Sequence, residues 1–381
     1  ERGSNEAGFP WEHGYTRINP AYFDLVDHRI SYLVDMGLVP CIFGCWGYYM
    51  DFMGLEKIKK HWRYLVARYG AFPVIWCLAG EAIMPYYVSE AWNHPTEYIP
   101  EAKAKWTEVA RYLCHINSFD NLITIHPAIY PLSEYGREQI EDPSLIDFDM
   151  LQTGHDSHHS FPNTIKCLRY SLGSEPKMPV VVGEPCYEGI REAGREEIQR
   201  LLFWACILSG AAGYTYGANG LWQINTKEKP FGPSPHGVSW GDTPWEEAAQ
   251  LPGSRQLGIA KKLLERYPWW QFEPHPEWVE INQRSGFYTK ENDNYFVPYA
   301  AGIPKKVRII YFNPLFSGLS VLADFCTVKH LEPEVTYHAF FFNPSDGTEH
   351  NLGKVIPDNK KNWRPPRPPI FRDWVLVLEA R

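Results

Sequence analysis

The sequence predicts an incomplete (β/α)8 barrel followed by a small β-sandwich domain. Strand and helix patterns alternate at regular intervals up to about residue 266, which is typical of α/β folds with a parallel sheet. Beyond about residue 275, short alternating runs are separated by turn residues, which is typical of an antiparallel sandwich. We therefore expect a barrel domain at residues 1–275 and a sandwich domain at residues 276–381.

The barrel elements follow one another in order. Asn19-Pro20 opens the first helix and Gly37 ends it, as cap and breaker residues do. Each strand is a short apolar run, and each later helix has apolar residues at helical spacing. The predicted strands are 39–46, 74–78, 122–126, 146–153, 180–182 and 211–216; the later helices are 55–69, 102–116, 163–172, 195–209 and 256–266. Aromatic or Pro/Gly-rich loops are predicted at 83–100 and 225–256.

The sandwich domain is predicted from its short runs of strand-forming residues. These runs are 287–288, 295–299, 307–311, 318–322, 336–342 and 374–378. Turn signals separate them, and the stretch 357–371 is rich in Pro, Lys and Arg, which is typical of a surface loop.

The sequence predicts six barrel strands, two fewer than a closed eight-stranded barrel needs. The two missing strands would have to precede residue 19, and eighteen residues cannot hold two βα units. Two interpretations follow: either the barrel is incomplete in this chain, or the sheet is open and doubly wound.

Two strands end in the same Gly-Glu pattern. The stretch 179–189 reads PVVVGEPCYEG and ends its strand at Glu184, while 73–82 reads PVIWCLAGEA and ends at Glu81. Barrel enzymes carry their catalytic groups at these carboxyl ends. One Glu after a strand is commonly a helix N-terminal charge or a solvated loop residue, but two with the same local pattern indicate two carboxylates in one pocket.

Paired carboxylates suit glycoside hydrolysis. One carboxyl group protonates the leaving oxygen, and the other attacks the sugar or activates water. If two strands are missing upstream, Glu81 follows strand four and Glu184 follows strand seven. That is the placement found in the large clan of retaining barrel glycosidases.

Composition supports a carbohydrate groove. Aromatic residues make up 15% of the chain, with 15 Trp and 23 Tyr, and flat rings stack on the apolar faces of sugars. The net charge of −8 gives no support to a nucleic-acid partner or an anionic membrane surface. There is also no apolar run of 18 residues that would span a membrane.

Several strand-end residues are candidates for substrate contact. Rings at Trp46 and Trp222 could stack on sugar, and His155 could donate to a sugar hydroxyl or to the nucleophile. For each candidate, ordinary packing is the alternative interpretation. The full set is Trp46, His126, Gln152, His155, Tyr187, Tyr214 and Trp222.

Other chemistries lack their motifs. His155, Asp156, His158 and His159 cluster without a metal-ligand spacing, so we predict a solvated loop and no metal. No G-x-S-x-G elbow and no Gly-rich phosphate loop occurs, and no cofactor is predicted. The eight cysteines lie mostly in apolar patterns and are expected to be small buried hydrophobes.

The chain resembles the apiosidase-like glycoside hydrolases, typified by apiosidases of gut bacteria. The resemblance extends in order over residues 18–224, and residues 276–381 resemble the small domain, sometimes labelled collagen-binding, that often follows. The matching stretches are INPAYFDLVDHRISYLVDMGL, GCWG, RYGAFPVIWCLAGE, DNLITIHP, IDFDMLQTGH, PVVVGEPCYE and AAGYTYGANGLWQ.

The resemblance implies a retaining mechanism with Glu184 as nucleophile and Glu81 as acid/base. The family often has Asp at the strand-four position, where this chain has Glu81, whose side chain is one methylene longer. The resemblance therefore implies the retaining mechanism but does not imply an apiose-type substrate. The resemblance also implies that the first βα units lie on a separate polypeptide or were removed, and that the protein is bacterial and periplasmic or secreted.

The sequence thus predicts a retaining, exo-acting glycoside hydrolase acting on oligosaccharides or polysaccharide side chains. The alternative is a non-catalytic carbohydrate-binding or assembly protein on a decayed barrel. A collagen- or protein-binding role for residues 276–381 rests only on the label of the resembling domain.

Overall fold

The computed structural model describes residues 3–87, 89–129, 132–156, 159–192, 194–230, 240–281, 295–313 and 326–381. The chain separates into two compact units. Unit 1 comprises Glu1–Gln152 and Ser174–Pro179, and unit 2 comprises Thr153–Gly173 and Val180–Arg381. Each unit has its own apolar core.

Unit 1 contains parallel strands and amphipathic helices. Strands β1, β2 and β3 form one parallel sheet, in which Phe43 pairs with Cys77 and Trp76 pairs with Ile123. The elements are α1 (Pro20–Asp35), β1 (Cys41–Phe43), α2 (Tyr49–Met53), α3 (Leu55–Tyr69), β2 (Ile75–Cys77), α4 (Pro95–Ile116), β3 (Ile123–Thr124) and β4 (Asp149–Gln152). Short 3-10 turns lie at His13–Tyr15, Glu90–Asn93, Gly136–Glu138 and Pro143–Leu145.

Local sequence signals determine the helix ends in unit 1. Pro20 occupies the first turn of α1, where its missing N–H leaves no carbonyl unpaired. Gly37 has φ +79° just beyond the helix, and its N–H donates to the carbonyl of Val34. Glycine adopts this left-handed conformation without steric cost, so it ends the helix.

The core of unit 1 lies between its sheet and helix α3. Ile58, Trp62, Leu65, Val66 and Tyr69 are all buried, and their spacing puts them on one face of the helix. The ring of Trp62 meets Trp76 of β2 edge-on at 5.8 Å. Burial of this face therefore fixes α3 against the strand that leads to Glu81.

Unit 2 contains a parallel strand pair, helices and an antiparallel sheet. Strands β5 and β6 are parallel, with Val182 opposite Tyr214. The first elements are α5 (Ser160–Gly173), β5 (Val180–Glu184), α6 (Glu196–Ile207), β6 (Gly213–Tyr214), α7 (Trp245–Ala248) and α8 (Pro252–Leu264). Short 3-10 turns lie at Ile190–Glu192, Trp269–Gln271 and Pro276–Trp278.

The rest of unit 2 is antiparallel. A six-stranded sheet has the order β13-β12-β14-β10-β9-β7, and β11 pairs with β8 in a second sheet. These strands are β7 (Glu273–Pro274), β8 (Val279–Ile281), β9 (Tyr299–Ile303), β10 (Val307–Phe312), β11 (Cys326–Val328), β12 (Tyr337–Phe342), β13 (Glu349–Lys354) and β14 (Trp374–Ala380). Side chains from both sheets share one apolar core, as in a sandwich.

A buried arginine organises the polar side of this core. Arg308 is fully buried and donates to the carbonyls of Lys329 and His330 at 2.8 and 2.6 Å. It also donates to Glu332 Oε2 at 2.7 Å, and its guanidinium lies 4.2 Å from the ring centroid of Trp278. The contacts compensate for burying a charge.

The six strands predicted for the barrel part are all present; five have narrower bounds, and β5 extends two residues further, to Glu184. Three helix starts were predicted too late, and one of them is α5, which begins at Ser160 rather than 163. Helix α4 begins at Pro95 rather than 102, because Pro100 is accommodated inside the helix, although Pro usually ends one. Helix α8 begins at Pro252 rather than 256.

Four strands of unit 2 were not predicted: β7, β8, β11 and β13. For β13 the reason is that its sequence EHNLGK is polar and largely exposed. The predicted run 295–299 was placed too early, since β9 begins at Tyr299. The predicted runs 287–288 and 318–322 lie outside the described residues. The missing barrel strands and the domain boundary near residue 275 stay predictions. Among the described helices, none is long and apolar enough to cross a membrane.

Candidate active site

Glu81 follows β2 in a strained backbone conformation. The N–H of Gly80 donates to the carbonyl of Cys45 at 2.9 Å, and the N–H of Gly47 donates to the carbonyl of Gly80 at 2.7 Å. Glu81 itself has φ +47°, which costs a residue with a Cβ about 1–2 kcal/mol. Such strain persists only where neighbours impose it, and it is concentrated at functional sites.

Two side chains of unit 1 reach the carboxylate of Glu81. The hydroxyl of Tyr87 donates to Oε2 and the amide Nε2 of Gln152 donates to Oε1, each at 3.4 Å. The backbone N–H of Glu81 donates to Nδ1 of His126 at 3.4 Å. These are long hydrogen bonds, made by the buried side chains of Gln152 and His126 and by Tyr87.

The ring of Trp46 packs directly on the strand end that carries Glu81. A Cβ placed on Gly80 would lie 1.4 Å from Cζ3 of Trp46, so only glycine leaves room for this ring. The Trp46 ring lies 6.4 Å from that of His126, tilted by 30°. Because its side chain is 38% exposed, Trp46 presents an apolar surface beside Glu81.

Glu184 is the last residue of β5. Its carbonyl accepts from the N–H of Thr153 at 2.9 Å, and its Oε1 lies 2.9 Å from Nε2 of His155. Between Thr153 and His155 the chain turns at Gly154, with φ +90°, which glycine adopts readily. This turn brings the imidazole of His155 to the carboxylate of Glu184.

Aromatic rings hold the imidazole of His155 in place. The ring of Tyr187 lies 4.3 Å from it at 42°, and that of Trp240 lies 6.2 Å from it at 76°. The guanidinium of Arg191 lies over the ring of Trp240, 4.8 Å from its centroid. In the described part of unit 2, Nδ1 of His155 is buried without a hydrogen-bond partner. The imidazole therefore has one directed polar contact, the one to Glu184.

Contacts at Tyr187 and Glu188 hold the segment after Glu184 in place. A Cβ on Gly217 would lie 2.2 Å from Cδ1 of Tyr187, so this ring rests on bare backbone. The buried carboxylate of Glu188 accepts from the hydroxyl of Tyr216 at 2.5 Å and from the N–H of Gly253 at 3.0 Å. Burial raises the pKa of Glu188 above its ordinary value. These contacts limit the movement of Tyr187.

The remaining candidates lie on β6 and in the loop after it. Tyr214 belongs to β6, its ring lies 5.7 Å from Phe203, and burial raises its pKa well above the ordinary value. Trp222 lies on the following loop and is 46% exposed. In sum, Glu81 is grouped with Gln152, His126 and Trp46, and Glu184 with His155 and Tyr187.

The sequence did not single out Tyr87, Arg191 or Trp240. Tyr87 and Trp240 lie in the loops 83–100 and 225–256, where the density of aromatic residues was the available signal. Asp149 forms a buried ion pair with Arg137 at 2.7 Å. No group of three or more His, Cys, Asp or Glu side chains in the described ranges could hold a metal ion.

Two solved structures have the same fold as this chain. One described as a glycoside hydrolase aligns with a TM-score of 0.75 at 19% identity, covering 99% of this chain and 82% of that one. A family 5 glycoside hydrolase from Bacteroides vulgatus aligns with a TM-score of 0.69 at 18% identity, covering 94% and 73%. The fold is therefore of the barrel type found in glycoside hydrolases.

At the level of sequence, a search of curated proteins found no match. The model of the apiosidase-like catalytic domain family matches residues 4–271, which include both Gly-Glu strand ends. The match confirms the resemblance seen in the strand-end stretches. The chain belongs to the apiosidase-like family and is a glycoside hydrolase.

Proposed function

We propose that this glycoside hydrolase is retaining and exo-acting, and that it removes sugars from oligosaccharides or polysaccharide side chains. Glu184 is the nucleophile and Glu81 the acid/base in this proposal. The observation that carries it is the 2.9 Å contact between Nε2 of His155 and Oε1 of Glu184, at the end of a strand in a family of glycoside hydrolases.

A nucleophilic carboxylate must be ionised and aimed at the anomeric carbon. A hydrogen bond from His155 favours the charged form of Glu184 and restricts its rotation. Tyr187 and Trp240 in turn restrict the imidazole. The arrangement of a carboxylate, a donor and rings that hold the donor supports Glu184 in this role.

The proposed reaction has two steps. In the first, a carboxylate oxygen of Glu184 bonds to the anomeric carbon while the bond to the leaving oxygen breaks, and Glu81 gives its proton to that oxygen. In the second, Glu81 takes a proton from water, whose oxygen displaces Glu184 from the anomeric carbon. Over the two steps Glu81 loses one proton and regains one from water, and no electrons are exchanged, so the reaction requires no cofactor.

Glu81 is supported as acid/base by its surroundings in unit 1. Its carboxylate is half-buried and contacts the neutral donors Tyr87 and Gln152. A neutral donor holds a carboxyl group in its charged form less firmly than a charged donor does, which suits a group that must alternate between its charged and neutral forms. We propose that the exposed ring of Trp46, together with His126, Gln152, His155, Tyr187, Tyr214 and Trp222, contacts the carbohydrate.

The roles are tested on a panel of aryl pyranosides and furanosides. Glu184→Gln should abolish hydrolysis of the sugar that wild type accepts. Glu81→Gln should lose about 10²–10⁴-fold with poor leaving groups and much less with good ones, which need no proton. Glu197→Gln, on the exposed side of α6, is the matched control and should retain full activity.

Stereochemistry and product size test the finer claims. Nuclear magnetic resonance during the first turnovers should show a product with the anomeric configuration of the substrate, and chromatography should show single sugars released from chain ends. An inverted product would reject Glu184 as nucleophile. Sugar binding without hydrolysis of any panel member would favour the alternative, a non-catalytic carbohydrate-binding protein.

We further propose that residues 276–381 are a sandwich domain that stabilises the catalytic part of unit 2. The support is a buried ion pair between Arg200 of α6 and Asp373, at 2.6 Å. A chain ending at residue 275 should then unfold at lower denaturant concentration than the full chain. Equal stability of the two chains would show that the domain has no such role.

A further inference from the structure

Four aromatic side chains form a continuous row that begins at Glu81. The hydroxyl of Tyr87 donates to Oε2 of Glu81, and the ring of Tyr48 lies 6.2 Å from that of Tyr87. The ring of Tyr86 lies 5.2 Å from Tyr48, and that of Phe52 lies 5.1 Å from Tyr86. We call Tyr87, Tyr48, Tyr86 and Phe52 the aromatic row.

The row has an accessible surface. Phe52 is 43% exposed, and the three tyrosines are half-buried. Isolated exposed aromatic residues are common on proteins, but a contiguous exposed patch indicates a binding surface. The row also combines apolar ring faces with three hydroxyl groups.

The backbone beneath the row fixes its position relative to Glu81. A Cβ on Gly47 would lie 2.4 Å from the carbonyl oxygen of Ala82 and 2.5 Å from that of Glu81. The segment before Tyr48 therefore packs directly on the backbone of the catalytic candidate. Helix α2 then carries Phe52, whose ring is supported edge-on by Tyr49 at 5.9 Å.

We propose that the aromatic row is the leaving-group subsite and that the leaving group is a sugar. The inference rests on the proposed role of Glu81. An acid delivers its proton to the glycosidic oxygen, which belongs to the departing group, so a surface that begins at the acid's carboxylate faces that group. The row is a described surface of unit 1 that begins at this carboxylate, through Tyr87.

The chemistry of the row favours a sugar over a small alcohol. A sugar has a face of C–H groups that packs on aromatic rings and a rim of hydroxyls that binds polar partners. The row offers ring faces for the first and tyrosine hydroxyls for the second. Burial, the neighbouring tyrosines and the charge of Glu81 raise the pKa of Tyr48, so its hydroxyl remains a donor.

The test compares two substrates that share the glycone accepted in the aryl panel. One is the glycosyl fluoride, whose leaving group is small and needs no acid, and the other has glucose as its leaving group. Phe52→Ala and Tyr86→Ala should lower kcat/KM roughly tenfold more for the second substrate than for the fluoride, mainly through KM. Phe52→Trp, which enlarges the ring without emptying the site, should lower KM for that substrate.

The control is Tyr32→Ala, an exposed tyrosine on α1, which should change neither substrate. An equal loss on both substrates, or no loss on either, would overturn the subsite. Failure of the proposed function has a different signature. In that case Glu81→Gln would hydrolyse the glucose-linked substrate at the wild-type rate.

Discussion

Nε2 of His155 lies 2.9 Å from Oε1 of Glu184, and the two side chains are 17% and 16% exposed. At this depth a hydrogen bond to a charged group contributes more than it would at the surface. The rings of Tyr187 and Trp240 leave the imidazole little freedom to turn away from the carboxylate. The pair is therefore a preorganised unit at the end of β5.

Removal of the donor at His155 should slow catalysis without unfolding the protein. His155→Ala should lower kcat roughly 10- to 100-fold, since a hydrogen bond to a charged group is worth about 1.5–3 kcal/mol. His155→Gln, which keeps an N–H donor, should recover part of the rate. Steady-state kinetics and circular dichroism check both effects, and full activity of His155→Ala would contradict the assignment.

Gly80→Ala should displace the ring of Trp46. The added methyl group would lie 1.4 Å from Cζ3, so the rigid indole must move, at a cost of about 1–3 kcal/mol. Denaturant unfolding measures that cost, and KM should rise because the ring beside Glu81 shifts. The control is Gly258→Ala inside α8, where a Cβ meets nothing within 4 Å; helix propensity predicts a small gain in stability there.

Removal of one partner of the buried ion pair between Arg200 and Asp373 should strongly destabilise unit 2. Both side chains are about 5% exposed or less, and Asp373 also accepts from the hydroxyl of Tyr311 at 3.2 Å. Asp373→Leu should lower the free energy of unfolding by about 3–5 kcal/mol, because it leaves the buried guanidinium uncompensated.

The double variant Arg200→Leu with Asp373→Leu should recover much of that loss, since no buried charge remains. Denaturant titration of the single and double variants checks the cycle. Lys261→Met removes the exposed pair with Glu265 and should leave the midpoint almost unchanged. Equal effects of the buried and exposed substitutions would show that burial of the Arg200 pair is unimportant.

The stability of unit 1 should depend on the protonation of His61. This side chain is buried, accepts from Nε1 of Trp11 at 3.2 Å and contacts the carbonyl of Gly44 at 2.9 Å. Burial lowers its pKa from 6.5 to about 4. Between these values the unfolded chain binds a proton that the folded chain does not, so stability falls as pH falls.

The expected loss from pH 6.5 to pH 4 is about 3 kcal/mol. Unfolding measured over this range should show a steeper slope for wild type than for His61→Gln, whose side chain does not titrate. The same substitution at the exposed His28 controls for loss of a histidine. Parallel slopes for wild type and His61→Gln would contradict a neutral buried His61.

Much of the fold follows from local patterns in the sequence. The apolar runs that end at Glu81 and Glu184 predicted strands, and the chain forms β2 and β5 there, because β-branched residues favour the extended backbone and Gly and Pro end it. Local patterns failed where tertiary context dominated. Helix α4 continues through Pro100, and the polar strand β13 forms because β12 offers it a partner.

The candidate site also has features that follow from local sequence and features that depend on tertiary packing. The sequence by itself determined which residues stand at strand ends, including Glu81, His155 and Glu184, since strand periodicity and turn residues are local properties. Only the tertiary structure decided the partners: Tyr87 and Gln152 at Glu81, and His155 at Glu184, 29 residues away. Such contacts depend on how chain segments far apart in sequence pack, and no local pattern encodes that distance.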